Sequence, residues 1–426
     1  MRAGFLCCIA TLWLWAGVAQ AQSAPTCQFD QGAAAVTVSV TGGRARLRAV
    51  ASTGEIRLNG DACAGATVFN TDTIQVNGGT VDDEVSLSGT FAPGLTPEAT
   101  GGSEIEISFA LGGFNDMIVV NLGGGGDQVV FTSDGIDVGN DGDRDILTAG
   151  SARITVNGNG GNDRIDASAY TGSTHGPGVI LHGGAGRDVL IGSTVEWNSL
   201  YGEEGDDVLY GGNDQDQLRG GMGNDQMFGY GGNDYFLQEA TIDGADDMRA
   251  GDGIDTIQYI ARTSGVTVTV GDALASDGEP GEGDNVDGDF EYVWGGSGPD
   301  VLVGNGLQNT LIGRDGNDEL YGGDENDILW GEWGNDILVG DSGDDTLWGG
   351  PQDDSLDGGL GADILHGESG ADFLDGGDAV DQFFGDGGRD TFVNDDAYAE
   401  TVDCGAGAGD DPQPSALDTF IGCEQI

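Results

Sequence analysis

The chain has 426 residues, enough for two or three domains, but 82 of them are glycine, far above the usual share of about 7%. A compact globular core is excluded by that excess, collagen by the nine prolines, and disorder by a hydrophobic content of 38%. With 74 acidic against 14 basic residues and a formal net charge of −60, nucleic acid and anionic lipid surfaces are disfavoured partners.

Residues 1–21 combine Arg2, an apolar stretch through Leu6, Ile9, Leu12 and Trp15, and an Ala19-Gln20-Ala21 end. This predicts a secretory signal peptide cleaved after Ala21, and a secreted, extracellular mature chain with no transmembrane segment. Cys7 and Cys8 leave with it. The remaining Cys27, Cys63, Cys404 and Cys423 predict two disulfides in an oxidising compartment; of three possible pairings, proximity favours Cys27 with Cys63 and Cys404 with Cys423.

Residues 22–180 alternate strand-like stretches such as 35–40 and 73–76 with Gly-Asp segments such as GNGGNDRID, predicting an irregular β-rich, β-helix-like region with coils of unequal length. Residues 181–237 then hold a first run of nine-residue copies, from GGAGRDVLI at Gly183 to GYGGNDYFL, with one residue inserted at Gly192. Residues 238–294 interrupt the run, although AGDGIDTIQ from Ala250 keeps the register. The alternation at 266–270 reads as a strand, and the acidic stretch from Asp277 to Asp289 as a solvated loop or an extra cation site. The break as a whole is expected to leave the solenoid. Residues 295–394 carry eleven further copies without a gap, and residues 395–426 form a predicted C-terminal cap closed by a disulfide.

The copies are locked in phase. In the second run slot six is Asp in ten of eleven copies, Asn309 being the exception, and slot eight is Leu in nine copies and Phe in Phe383 and Phe392. In the first run only Asn198 breaks the Asp slot. Six residues make a turn and three make a strand, whose central side chain alone faces inward, so slot eight stacks an apolar ladder. Two copies close one coil, giving a structural period of eighteen. Copies from 295, 313, 331, 349, 367 and 385 then form one sheet, and those from 304, 322, 340, 358 and 376 another.

Glycines at slots one, two and four are expected to take positive φ and turn carbonyl oxygens inward, while the slot-six Asp adds a carboxylate. That oxygen set suits calcium, which takes six to eight oxygens, rather than zinc, which wants nitrogen or sulfur. The candidate ligands are Asp188, Asp207, Asp216, Asp225, Asp234, Asp255, Asp300, Asp318, Asp327, Asp336, Asp345, Asp354, Asp363, Asp372, Asp381 and Asp390. Asn309 and Asn198 lack the charge, and Leu307, Glu325, Gln352 and Ala379 occupy a glycine slot; these copies are expected to be weak sites.

This arrangement resembles the RTX, or haemolysin-type, calcium-binding repeat. The resemblance implies an all-β, right-handed parallel β-roll in which each Ca2+ ion sits between turns stacked on the same side, held by turn carbonyls and slot-six aspartates. If each site takes copies two apart, the two runs hold at most about thirteen ions. Stacked carboxylates repel without them, so the chain is expected to fold on binding calcium. The family's own export route, an uncleaved C-terminal signal, is not carried over.

Slot nine of one sheet places Ile312, Trp330, Trp348, His366 and Phe384 eighteen residues apart, with Trp294 ahead of them. They read as an outward stripe covered by another segment of the chain, or as a ligand face around Trp294, Trp330 and Trp348. Neither G-x-S-x-G nor H-E-x-x-H occurs, so no catalytic residues are assigned and an enzyme is not expected. Two functional expectations follow. One is a secreted calcium-binding protein of structural or cell-surface role. The alternative is a calcium-dependent adhesin or glycan-binding module, with an RTX-type hydrolase behind both.

Overall fold

The computed structural model describes residues 153–393 apart from 171–177, 195 and 273, together with parts of 26–149 and 398–423. The signal-peptide segment 1–21 lies outside the described residues. Every regular element is a β-strand, as the nine-residue pattern requires, and about twelve turns of parallel solenoid span residues 180–403.

Strands of three to seven residues pair in parallel with the strand one coil on, which in the regular runs is eighteen residues away. In the second run Val301–Val303 pairs with Glu319–Asp324, and Thr310–Asp315 with Ile328–Trp333. The two sheets proposed for the eleven copies are therefore the two that form. In each strand the middle residue of the turn-following triplet is buried and its neighbours are not, as in Val301–Val303. Leu302, Leu311, Leu320, Leu329, Leu338, Leu347, Leu356, Leu365 and Leu374 all have zero exposure, and Phe383 and Phe392 continue the stack.

Three sheets share the work. One ladder runs coil by coil from Met117–Asn121 through Arg153–Asn157 and the whole roll to Thr419–Ile421. Facing it, a second ladder from Arg164–Asp166 ends at Asn285–Val286, and a third starts at Thr267–Thr269 and continues to Asp411–Gln413. Residues 238–294 are thus not an excursion from the solenoid. Asp247–Asp252, Thr256–Gln258, Thr267–Thr269, Asn285–Val286 and Tyr292–Trp294 all lie inside ladders. A strand of two or three residues needs only one inward apolar side chain, and Met248, Val268, Val286 and Val293 supply it outside the nonapeptide spacing.

The described strands of the N-terminal part pair in both directions. Parallel pairings such as Ala35–Ser39 with Thr73–Asn77 are mixed with antiparallel hairpins such as Gln128–Thr132 with Gly135–Val138. The C-terminal segment extends the roll rather than only closing it, because Thr401–Asp403, Asp411–Gln413 and Thr419–Ile421 each add to a ladder. Cys404 and Cys423 sit 1.96 Å apart, sulfur to sulfur, after adjacent strands of the long ladder. Cys27 is also disulfide-bonded; the side chain of Cys63 lies outside those described.

Removing one rung of the apolar stack should cost what a core cavity costs. Leu347→Ala is expected to lose about 2–5 kcal/mol, whereas Ile337→Ala, whose side chain is 42% exposed, should stay within about 0.5 kcal/mol. Thermal unfolding followed by circular dichroism in saturating calcium compares the two. Equal shifts would refute the ladder as the main apolar contribution.

Candidate metal sites in the stacked turns

Each slot-six aspartate is buried and uses its two oxygens differently. Its Oδ1 accepts the backbone N–H of the slot-six residue one coil earlier: Asp318 N–H to Asp336 at 2.8 Å, Asp327 to Asp345 at 2.7 Å, Asp336 to Asp354 at 2.8 Å and Asp345 to Asp363 at 2.7 Å. The first run repeats the contact, with Asp207 N–H to Asp225 and Asp216 N–H to Asp234, both at 2.7 Å. The Oδ2 atoms of Asp188, Asp207, Asp216, Asp225, Asp234, Asp255, Asp318, Asp327, Asp336, Asp345, Asp354, Asp363 and Asp372 are buried without a hydrogen-bond partner. Burying a carboxylate oxygen without donor or cation is costly.

The space beside that oxygen is defined by the slot-one glycine. A Cβ on Gly331 would lie 2.5 Å from Asp336 Oδ2 and 2.6 Å from the Gly349 carbonyl oxygen. Slot one therefore excludes a side chain to keep a cradle open, and positive φ is not its reason: no slot-one glycine has one. Many glycines at slots two and four do, such as Gly350 at φ 117° and Gly334 at φ 155°. Glu325, Gln352 and Ala379 are forced to φ 67°, 87° and 109°, so the strain expected at those three copies is present. Leu307 is not among the left-handed residues; its N–H instead bonds Asn305 Oδ1 at 2.8 Å, and that turn takes another shape.

One unpartnered carboxylate oxygen and converging carbonyls in most of the regular turns make an all-oxygen donor set, which fits calcium and not zinc. No group of three or more His, Cys, Asp or Glu side chains gathers as a metal cluster among the described residues. The repeat supplies one carboxylate per turn and draws its other oxygens from the backbone. Where the sequence departs, the cradle closes. Asn309 Oδ1 accepts the Asn305 N–H at 2.8 Å and its Nδ2 donates to the Phe290 carbonyl at 3.0 Å. Asn198 bonds Ser193 through both side-chain atoms. Asp300 also closes on its own turn, because Oδ2 accepts the Gly296 N–H at 2.6 Å while Oδ1 accepts that of Val266. Asp381 and Asp390 hold the same positions, taking the Asp363 and Asp372 N–H groups.

Four acids that the nonapeptide register did not mark join the columns. Asp188 Oδ1 accepts the Asp163 N–H, Asp246 that of Asp225, Asp284 that of Asp246, and Glu291 Oε2 that of Asp255. The signal that finds them is an acid directly before a short strand with an apolar middle, as in Asp246-Asp247-Met248 and Asp284-Asn285-Val286. The acidic stretch after Asp277 is accordingly no solvated loop. Asp277 itself is buried and accepts the Thr269 and Val286 N–H groups.

The slot-nine side chains form a continuous ring stack. Trp330 and Trp348 lie 4.0 Å apart at 5°, Trp348 and His366 5.5 Å apart, and His366 and Phe384 4.5 Å apart. Trp294 sits on the same sheet against Ile312, its indole nitrogen buried without a partner. A cleft of about 280 Å³ beside the stack is lined by Trp330, Glu332, Trp333, Trp348, Pro351 and Glu368.

Burial pushes the slot-six carboxyls upward. Asp354 rises to about 8, the neighbouring Asp336 and Asp372 charges adding to burial against the Asp336 N–H that pulls it down. Asp318, Asp345 and Asp363 rise to about 7 and Asp336 to about 6, burial leading in each. The unfolded carboxyl titrates near 3.9. A raised folded value means that protonation stabilises the ion-free roll: the contribution is complete below about pH 4 and is lost as pH rises through about 6 to 8. In EGTA the strand signal is therefore expected to be larger at about pH 5 than at about pH 8. In calcium it should persist at pH 8, with a midpoint that moves to higher calcium as pH falls, because ion and proton compete. A strand signal in EGTA independent of pH would contradict this.

The sequence description of the RTX calcium-binding nonapeptide repeat (4 copies) matches residues 180–194, 198–236, 294–329, 303–338, 330–365 and 357–392. A search of curated proteins found no relative that matches the chain. The matched segments all lie in the stacked, oxygen-lined turns, and this chain carries RTX calcium-binding nonapeptide repeats at those segments within residues 180–392, in a parallel β-solenoid.

Proposed function

We propose that this is an exported calcium-binding β-roll protein whose fold is completed by calcium, with a structural or cell-surface role. The observation that carries the reading is the repeated buried Oδ2, one per regular turn, with no donor beside it. Calcium supplies there a divalent counter-charge that oxygen ligands accept at variable number and geometry. The residues that would hold it are the slot-six aspartates with the carbonyls around the slot-one glycines. The count of about thirteen ions comes from two separate runs. The acids Asp163, Asp246 and Glu291 lengthen the columns beyond those runs and raise the ceiling, while Asn198, Asn309, Asp300 and Asp284, whose Oδ2 accepts the Tyr259 hydroxyl, lower the occupancy.

The disulfides at Cys404–Cys423 and Cys27 support export through the N-terminal segment, since such bonds persist in oxidising compartments. The absence of a recognised catalytic motif supports a non-enzymatic role. The adhesin or glycan-binding alternative gains less from the geometry. A sugar ring stacks on an aromatic face, and the faces of Trp330, Trp348 and His366 are spent on one another, leaving their edges outward.

Circular dichroism of the mature chain in EGTA and in millimolar calcium tests the coupling of ion and fold; equal strand content in both would sink it. Asp345→Asn imitates the natural Asn309 and is expected to reduce the calorimetric stoichiometry by about one to two ions, since its carboxylate borders two turn pairs. An unchanged ion count would remove the slot-six aspartates as ligands.

A further inference from the structure

Where the second ladder ends and the third begins, the turns differ from every regular one. Turns 241–246 and 279–284 are stacked as usual, with Asp246 N–H bonded to Asp284 Oδ1 at 3.0 Å. Asp284 Oδ2, however, is not left open: it accepts the Tyr259 hydroxyl at 3.0 Å. Glu282 stands at slot four, which is glycine in most regular copies, and Asp243 and Glu279 face it. Into this group of acids reaches Arg262, with no exposed surface. Its guanidinium meets Asp243 at 2.8 Å, Glu282 at 2.5 Å and Glu279 at 3.2 Å.

We propose that Arg262 is a cation supplied by the chain itself at the one turn pair where the columns are spliced, so that this joint is held without calcium and serves as an ion-independent anchor for the roll on both sides. This rests on the reading that calcium fills the regular turns. An arginine remains charged at any accessible pH and its fork satisfies several carboxylates at once. A guanidinium buried among three carboxylates has the sign of the ion expected between two regular turns, and it bridges Asp243 of one stacked turn to Glu279 and Glu282 of the next. Its backbone extends the joint: the Arg262 carbonyl accepts the Ser297 N–H at 2.9 Å and so ties in turn 295–300, the second of the third ladder. That ladder's entry turn has Val266 at slot six, where regular turns have a carboxylate, and Val266 N–H is capped by Asp300, whose second oxygen is also bonded within the protein. Asp284 and Asp300, on the two sides of the splice, thus have both carboxylate oxygens bonded by protein groups, whereas Asp246 Oδ2 and the Oδ2 atoms of most regular turns do not.

Hydrogen–deuterium exchange of the full mature chain in EGTA and in calcium separates the possibilities. Peptides within 241–300 are expected to stay protected in EGTA, while those within 313–393 lose protection ~10-fold or more. Arg262→Gln should abolish the EGTA protection of 241–300; calcium should restore it, with about one ion more per chain than the parent in calorimetric titration, because the vacated carboxylates form a cation site. Arg262→Lys, which keeps the charge, should retain part of the protection and gain no ion. Exchange of 241–300 as fast as that of 313–393 in EGTA, or an Arg262→Gln chain as protected there as the parent, would overturn the proposal while leaving calcium-coupled folding intact. Calcium without effect on 313–393 would instead overturn the underlying reading.

Discussion

The roll depends on one carboxylate that does two incompatible things. Through Oδ1 each slot-six aspartate accepts the N–H of its counterpart one coil earlier, which sets the spacing and phase of the turns. Through Oδ2 most of them, Asp318 to Asp372 of the second run included, place a carboxylate oxygen in a buried cradle with no donor. The columns tolerate a neutral side chain: Asn309 and Asn198 stand in them and satisfy themselves from their own turns and neighbouring backbone. Aspartate at nearly every other position therefore carries a cost that serves no purpose in the ion-free chain. A divalent cation turns that cost into binding energy, and the same contact then couples each bound ion to the register of the next coil.

The apolar ladder and the carboxylate columns answer each other. A leucine at slot eight with no exposure gives each coil one well-packed rung, and three residues of strand give little more. Such a coil cannot hold a repelling pair of turns closed by itself, because its few buried side chains must also offset the ordering of eighteen residues. Stability is then a sum of neighbour contacts along the axis, as in other solenoids, with the ion among the contacts. The ring stack of Trp330, Trp348, His366 and Phe384 adds an outer ladder with the same eighteen-residue period, paired in strict register.

Much of this was legible in the sequence because the period is exposed by two slots of opposite chemistry. Aspartate at six and leucine at eight fixed the turn, the strand, the inward residue and the two sheets of the second run before any coordinate was needed. What was not legible is where the period of nine failed but the period of the coil did not. Asp246, Asp284 and Glu291 continue the columns across 238–294 with longer connections between strands, and a reading tied to nine-residue spacing discards them. The role of slot-one glycine was hidden for a different reason. Glycine is compatible with both positive φ and close approach, and only the distances around Gly331 show that approach is the constraint. Leu307 shows that a glycine slot need not keep its conformation, since Asn305 builds another turn there.

The splice shows why the solenoid can change one face without losing continuity. The long ladder passes through it strand by strand, Tyr235–Leu237 to Thr256–Gln258 to Tyr292–Trp294 to Thr310–Asp315, so one wall of the roll never breaks. The opposite wall is exchanged, one ladder ending at Asn285–Val286 and another starting at Thr267–Thr269. An exchange of this kind leaves two column ends facing each other, each with carboxylates and backbone donors that a further coil would have satisfied. Arg262, Tyr259 and Asp277 meet those groups from inside the chain. Buried charge at that point is therefore matched by covalently attached partners, whereas in the regular turns it awaits a diffusible one, and the difference lies in side chains that the nonapeptide consensus does not contain.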